Sequence, residues 1–170
     1  LPYDEVGAFM ADLRKQQGTA ARALEFLILT TSRTAEAIGA RWGEFNIGKA
    51  LWTVPAERVK SERTHRVPLS SPALKVVNAM QKERTTESDG GFVFPGGKRG
   101  RPLSDPALWA ALKRTGRSDL TVHGFRSSFR DWAAERTNYP REVAEMALGH
   151  AVSNKVEAAY RRGDLFQKRR

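Results

Sequence analysis

Apolar residues recur every three or four positions over most of the chain, the spacing of helices with one buried face. Val6, Phe9, Met10 and Leu13 form such a stripe and predict an amphipathic helix over residues 4–17. Gly18 breaks it, and Thr19 stands where a cap for a second helix is needed. That second helix carries Ala20, Ala23, Leu24, Leu27 and Ile28, apolar enough for a central buried element. The polar run Thr30-Thr31-Ser32-Arg33 ends the stripe, and Thr34 is placed to cap a short helix with Glu36 and Ile38 that stops at Gly39.

From Trp42 the period shortens. Leu51-Trp52-Thr53-Val54 and His65-Arg66-Val67-Pro68-Leu69 read as two short strands joined by a charged connection that contains Lys60. Pro68 makes the second an edge strand or its end. Ser71 and Pro72 open a helix as cap and first residue, with Leu74, Val77 and Met80 inward. Phe92-Val93-Phe94 is a candidate strand, and residues 95–102 form a Gly/Lys/Arg turn. Gly96-Gly97-Lys98 lacks the spacing of a phosphate-binding loop and reads as a basic turn. Helices follow over 105–113 (Leu108, Trp109 and Leu112 inward), up to about 137 (Phe125, Phe129, Trp132 and Ala133 inward), and from Pro140 to a stop at Gly149. Ser153 is placed to cap a last helix presenting Val156, Ala159 and Tyr160. The predicted class is mostly α (α+β): one helical domain with a small antiparallel β-sheet.

Charge narrows the function. The 170 residues carry a formal net charge of +10, which favours polyanions and above all nucleic acid. With no cysteine, disulfides, thiolate nucleophiles and zinc fingers are excluded. No signal peptide or membrane span is evident, so a cytoplasmic protein without membrane contact is expected. The chain opens on Leu1-Pro2, which suggests a piece of a longer protein.

Candidate chemistry begins with His123-Gly124-Phe125-Arg126, a His-x-x-Arg pair where a helix starts, able to offer two donors to a phosphate oxygen. Arg33 stands at the entrance of a short helix three residues before Glu36, which can orient it. Lys60 lies in a strand-to-strand loop, His150 emerges just after a Leu-Gly helix stop, and Tyr160 lies in Ala158-Ala159-Tyr160-Arg161-Arg162. Singly, each has an ordinary reading: a solvated Arg or Lys, a helix-capping His, a half-buried Tyr. His65 is a strand residue with no chemistry assigned. The three histidines lack metal-ligand spacing, so neither a metal nor another cofactor is expected.

The ordered set Arg33, Lys60, His123-x-x-Arg126, His150 and Tyr160 resembles the tyrosine recombinases, the phage-type integrases. The surrounding text agrees. Residues 29–36 resemble the first arginine box, Val67-Pro68-Leu69-Ser70 the segment after the lysine hairpin, and Leu148-Gly149-His150 part of the second arginine box. Ala159-Tyr160-Arg161-Arg162-Gly163-Asp164 resembles the tyrosine segment of prophage and genomic-island integrases.

The resemblance implies a catalytic domain without the family's N-terminal DNA-binding domains and with a shortened tail. It implies attack of Tyr160 on a scissile phosphate, giving a 3′-phosphotyrosyl link and a free 5′-hydroxyl without metal or ATP. Arg33, Arg126 and His150 would hold the non-bridging oxygens, with His123 the candidate general base, Lys60 the candidate general acid and Glu36 in support. Double-stranded attachment-site DNA is the expected partner, with self-association as a tetramer on it. Lys98, Arg99, Arg101, Lys113, Arg114 and Arg117 are candidate backbone contacts. The alternatives are a type IB topoisomerase-like nicking-closing enzyme and a DNA-binding relative that does not cut.

Overall fold

Helix α2 (Thr19–Thr30) is apolar on most of its circumference because it runs through the middle of the molecule. It packs against α1 (Val6–Lys15), α4 (Ser71–Lys82) and α5 (Asp105–Lys113). The computed structural model describes residues 1–84, 91–150 and 163–170. Within them lie also α3 (Thr34–Ile38), α6 (Gly124–Arg136), α7 (Arg141–Ala147) and the strands β1 (Phe45–Asn46), β2 (Leu51–Val54) and β3 (His65–Pro68).

The strands form one antiparallel sheet in the order β1-β2-β3. Its register sets Trp52 opposite Val67 and Val54 opposite His65, which puts His65 on the face that looks inward. Trp52 is fully buried beside Phe26 of α2 at 5.2 Å, stacked on Phe45 at 5.6 Å, and Phe94 closes on Phe26 at 5.4 Å. Burial of each such ring contributes roughly 1.5–3 kcal/mol. The one acidic residue buried in α2, Glu25, is held by Arg14 at 2.6 Å and Arg22 at 2.7 Å.

Several local expectations shift. Strand β1 is added, two residues too short to show a period. Gly18, at φ 94°, is the N-cap of α2, and Thr19 is its first helical residue. Arg33, not Thr34, is the N-cap of α3. Ser70, not Ser71, caps α4 by accepting the Ala73 N–H at 3.4 Å. Residues 92–94 make single bridging contacts, such as Val93 N–H to Ala40 O at 2.8 Å, and no strand. Trp109 and Trp132, expected inward, are 50% and 42% exposed: a helical stripe locates a face but not how far its cover extends. The predicted helix from Ser153 lies outside the described residues.

Candidate active site

The site forms where α2 ends, α3 and α6 begin and α7 stops. Helix α2 closes on Thr31 in the left-handed region at φ 51°, a conformation that costs a non-glycine residue about 1 kcal/mol. The turn aims the Thr31 carbonyl at α6, where it accepts from Arg126 Nη1. Two residues on, Arg33 is the N-cap residue of α3. The Glu36 carboxylate reaches back over this first turn, accepting the Arg33 N–H at Oε2 (2.9 Å) and Arg33 Nη1 at Oε1 (2.9 Å). Glu36 is 2% exposed, so its charge is both buried and answered.

The other half of the frame is the end of α7. Gly149, at φ 63°, supplies a left-handed turn; its N–H donates to Met146 O (3.1 Å) and the His150 N–H to Glu145 O (3.0 Å), a Schellman closure. That closure turns two successive carbonyls outward. Leu148 O accepts from Arg126 Nη2 at 2.7 Å, and Gly149 O accepts from Arg33 Nη2 at 3.2 Å. One helix end therefore sets the two guanidinium groups side by side.

Arg126 is 5% exposed, and its burial, with the Arg33 charge beside it, lowers its pKa to about 10, partly countered by Glu36. It stays cationic at neutral pH. Two neighbouring cations with one carboxylate between them form a site that gains from an added anion. His150 Nε2 lies 3.2 Å from Arg126 Nη2, and its Nδ1 lies 2.6 Å from Glu145 Oε2. Glu145 also faces Arg130 at 3.0 Å. Burial raises its carboxyl, but the His150 hydrogen bond and the Arg130 charge outweigh that and keep it below its ordinary value. The ionised Glu145 accepts a hydrogen bond from Nδ1–H, which leaves Nε2 facing Arg126.

His65 completes the wall. A Cβ added to Gly149 would stand 3.4 Å from Arg33 Nη1 and 3.5 Å from His65 Nε2, so the imidazole lies against the α7 turn. Burial, reinforced by the Arg169 and Arg33 charges and opposed by Glu36 and the Ala147 carbonyl, lowers its pKa to about 4.

Arg33, Glu36, Arg126 and His150 thus converge. Lys60 is exposed on a turn whose Glu62 N–H donates to Val59 O at 2.8 Å. His123 is the N-cap residue of α6, but its side chain is exposed and caps nothing; Thr121 Oγ1 accepts the Gly124 N–H at 3.1 Å instead. Tyr160 lies outside the described residues. Lys98, Arg99 and Arg101 stand exposed on the basic turn. Lys113 covers the Trp109 ring at 3.6 Å, Arg114 Nε donates to Gln16 at 3.2 Å, and Arg117 pairs with Asp119 at 2.9 Å and Glu5 at 3.3 Å. Sequence reasoning missed Glu145; its signal is its place five residues before His150 across a glycine-stopped helix end.

A helical domain with this three-stranded sheet is the catalytic fold of tyrosine recombinases. It superposes on the XerA recombinase with a TM-score of 0.68 at 14% identity, over 99% of this chain and 62% of that one. On a lambda integrase dimer bound to a COC′ core site the TM-score is 0.60 at 19% identity, over 96% of this chain and 59% of that one. The chain belongs to the phage integrase family, whose model matches residues 1–165. It is 39% identical over 147 residues to prophage integrase IntA of Escherichia coli K12, covering 84% of this chain and 34% of that protein. Against prophage integrase IntZ of the same strain it is 35% identical over 172 residues, covering 100% and 42%. The chain spans about two fifths or less of the curated relatives it matches. Among the described residues no helix is long and apolar enough to cross a membrane.

Proposed function

We propose that this chain is the catalytic domain of a site-specific recombinase that integrates and excises a prophage or genomic island. The observation that carries the reading is the pairing of Arg33 and Arg126 on successive carbonyls of one helix end, with His150 beside them. Two guanidinium forks held at that spacing suit the two non-bridging oxygens of a phosphodiester. Negative charge grows on those oxygens as a fifth ligand approaches phosphorus, so fixed donors stabilise the transition state more than the ground state.

In the proposed step the Tyr160 oxygen attacks phosphorus as its proton passes to His123, the bond to O5′ breaks, and Lys60 protonates the departing oxygen. Each proton transfer would contribute roughly a hundred- to ten-thousandfold. The phosphotyrosyl bond keeps the energy of the one broken, so a second 5′-hydroxyl can displace Tyr160 without ATP. Double-stranded attachment DNA is the substrate, held by a tetramer in the cytoplasm on nucleoid DNA, with Lys98, Arg99 and Arg101 on its backbone.

Strand exchange tests the reading. The full-length protein, given two labelled attachment duplexes, should produce recombinant joints. Relaxation of supercoiled DNA without joints would instead indicate a nicking-closing enzyme, and binding without either a non-cutting relative.

A further inference from the structure

Lys60 can donate a proton only if its turn is held at the arginine pair, and the turn lies on the surface. We propose that Arg58 is the positioning residue that fixes Lys60, by tying its turn to the same residue, Glu36, that orients Arg33. The proposal rests on Lys60 being the general acid.

The geometry is specific. Arg58 Nη2 donates to the Glu36 carbonyl at 3.3 Å and to Glu44 Oε2 at 3.0 Å. Glu36 thus grips Arg33 through its carboxylate and Arg58 through its main chain. Glu44 is anchored in turn by Trp52 Nε1 at 2.9 Å, which links the contact to the fully buried ring of β2. Next to Arg58, Val59 is 4% exposed and packed in the core, and Val59 opens the hydrogen-bonded turn that carries Lys60. Two successive residues therefore fix the base of the turn, one by packing and one by a charged clamp.

Room for the clamp is provided by Gly39, at the end of α3. A Cβ there would run into Arg58 Nη1 and stand 2.8 Å from Ala35 O. The Arg58 Nε and Nη1 atoms are buried with no partner among the described residues. Burying donors without partners costs stability, so a guanidinium kept here is poorly explained by packing alone.

If Arg58 acts through Lys60, its loss should matter only when the leaving group needs a proton. A 5′-bridging sulfur in place of O5′ leaves as a thiolate, whose conjugate acid has a pKa of about 8.5 for a free cysteine, and needs no such help. The test measures single-turnover cleavage by the full-length protein on nicked attachment duplexes bridged by oxygen or by sulfur. It compares the wild type with Arg58→Met, Arg58→Lys, Gly39→Ala and Lys60→Ala.

The expected result is a ten- to hundredfold loss for Arg58→Met on the oxygen substrate and near wild-type cleavage of the sulfur one. Arg58→Lys should lose less, and Gly39→Ala should behave like Arg58→Met with the guanidinium retained but displaced, which keeps the test open should Arg58→Met not fold. Unimpaired oxygen-substrate cleavage in Arg58→Met, or equal losses on both substrates in the folded Arg58 and Gly39 variants, overturns the proposal. Lys60→Ala separates the two failures. If sulfur does not rescue it, Lys60 is not the acid and the proposal falls with that reading. If sulfur rescues Lys60→Ala but neither Arg58→Met nor Gly39→Ala, only the proposal falls.

Discussion

His150 Nδ1 rests 2.6 Å from Glu145 Oε2, although the two residues are separated by the whole stop of α7. The glycine turn at Gly149 folds the chain back so that the ring lies over the helix it has just left. The carboxylate fixes which ring nitrogen carries the proton and which faces Arg126. Glu145→Gln should keep the fold but weaken this charge-assisted bond by about 1.5–3 kcal/mol, slowing cleavage roughly ten- to hundredfold. Single-turnover cleavage rates, beside an unchanged melting curve, check it.

Glu36 holds the Arg33 backbone N–H and guanidinium from a buried position. Glu36→Ala leaves both without an acceptor and should lower stability by about 3 kcal/mol. Glu36→Gln can still accept the N–H and should cost roughly half of that. Urea midpoints at constant slope measure the difference.

His65 gives the fold a pH dependence. Its pKa is about 4 in the folded chain and about 6.5 unfolded, so between those values the unfolded state binds the proton and the folded state does not. Stability from this group is full above about pH 6.5 and falls as pH drops toward 4, with a ceiling of about 3 kcal/mol. Burial is the main cause of the shift; the Arg169 and Arg33 charges add to it, and Glu36 and the Ala147 carbonyl oppose it. Urea unfolding at pH 7 and pH 5 should show the loss, and His65→Gln should flatten it.

Lys98, Arg99 and Arg101 are exposed on one turn, whereas Arg117 is already paired with two carboxylates. Replacing any one of the first three by Ala should reduce the log–log salt slope of DNA binding by about 0.9, and Arg117→Ala should change it less. Binding titrations from 50 to 200 mM salt read the slopes directly.

Much of this was legible in the sequence because the chain marks its own helix ends. Gly39 and Gly149 stop α3 and α7, and Arg33, Arg126 and His150 sit within two or three residues of an end. Side chains there project past a helix and can converge. Glu145 was hidden because its partner is brought to it by the turn, and a helical stripe assigns it only to the outside. His65 was hidden because strand alternation puts it inward without saying that an arginine pair waits there. Trp109 and Trp132 misled for the opposite reason: their spacing is that of the core, but no neighbour covers them fully. Strand β1 exists through its pairing with β2 and has no pattern of its own.

The most direct measurement is a denaturing gel of the full-length protein incubated with a nicked attachment duplex. The account predicts a protein–DNA adduct that survives detergent, disappears in Tyr160→Phe and falls at least a hundredfold in Arg126→Ala. Binding to the correct site with no adduct, or an adduct that persists in Tyr160→Phe, would contradict it.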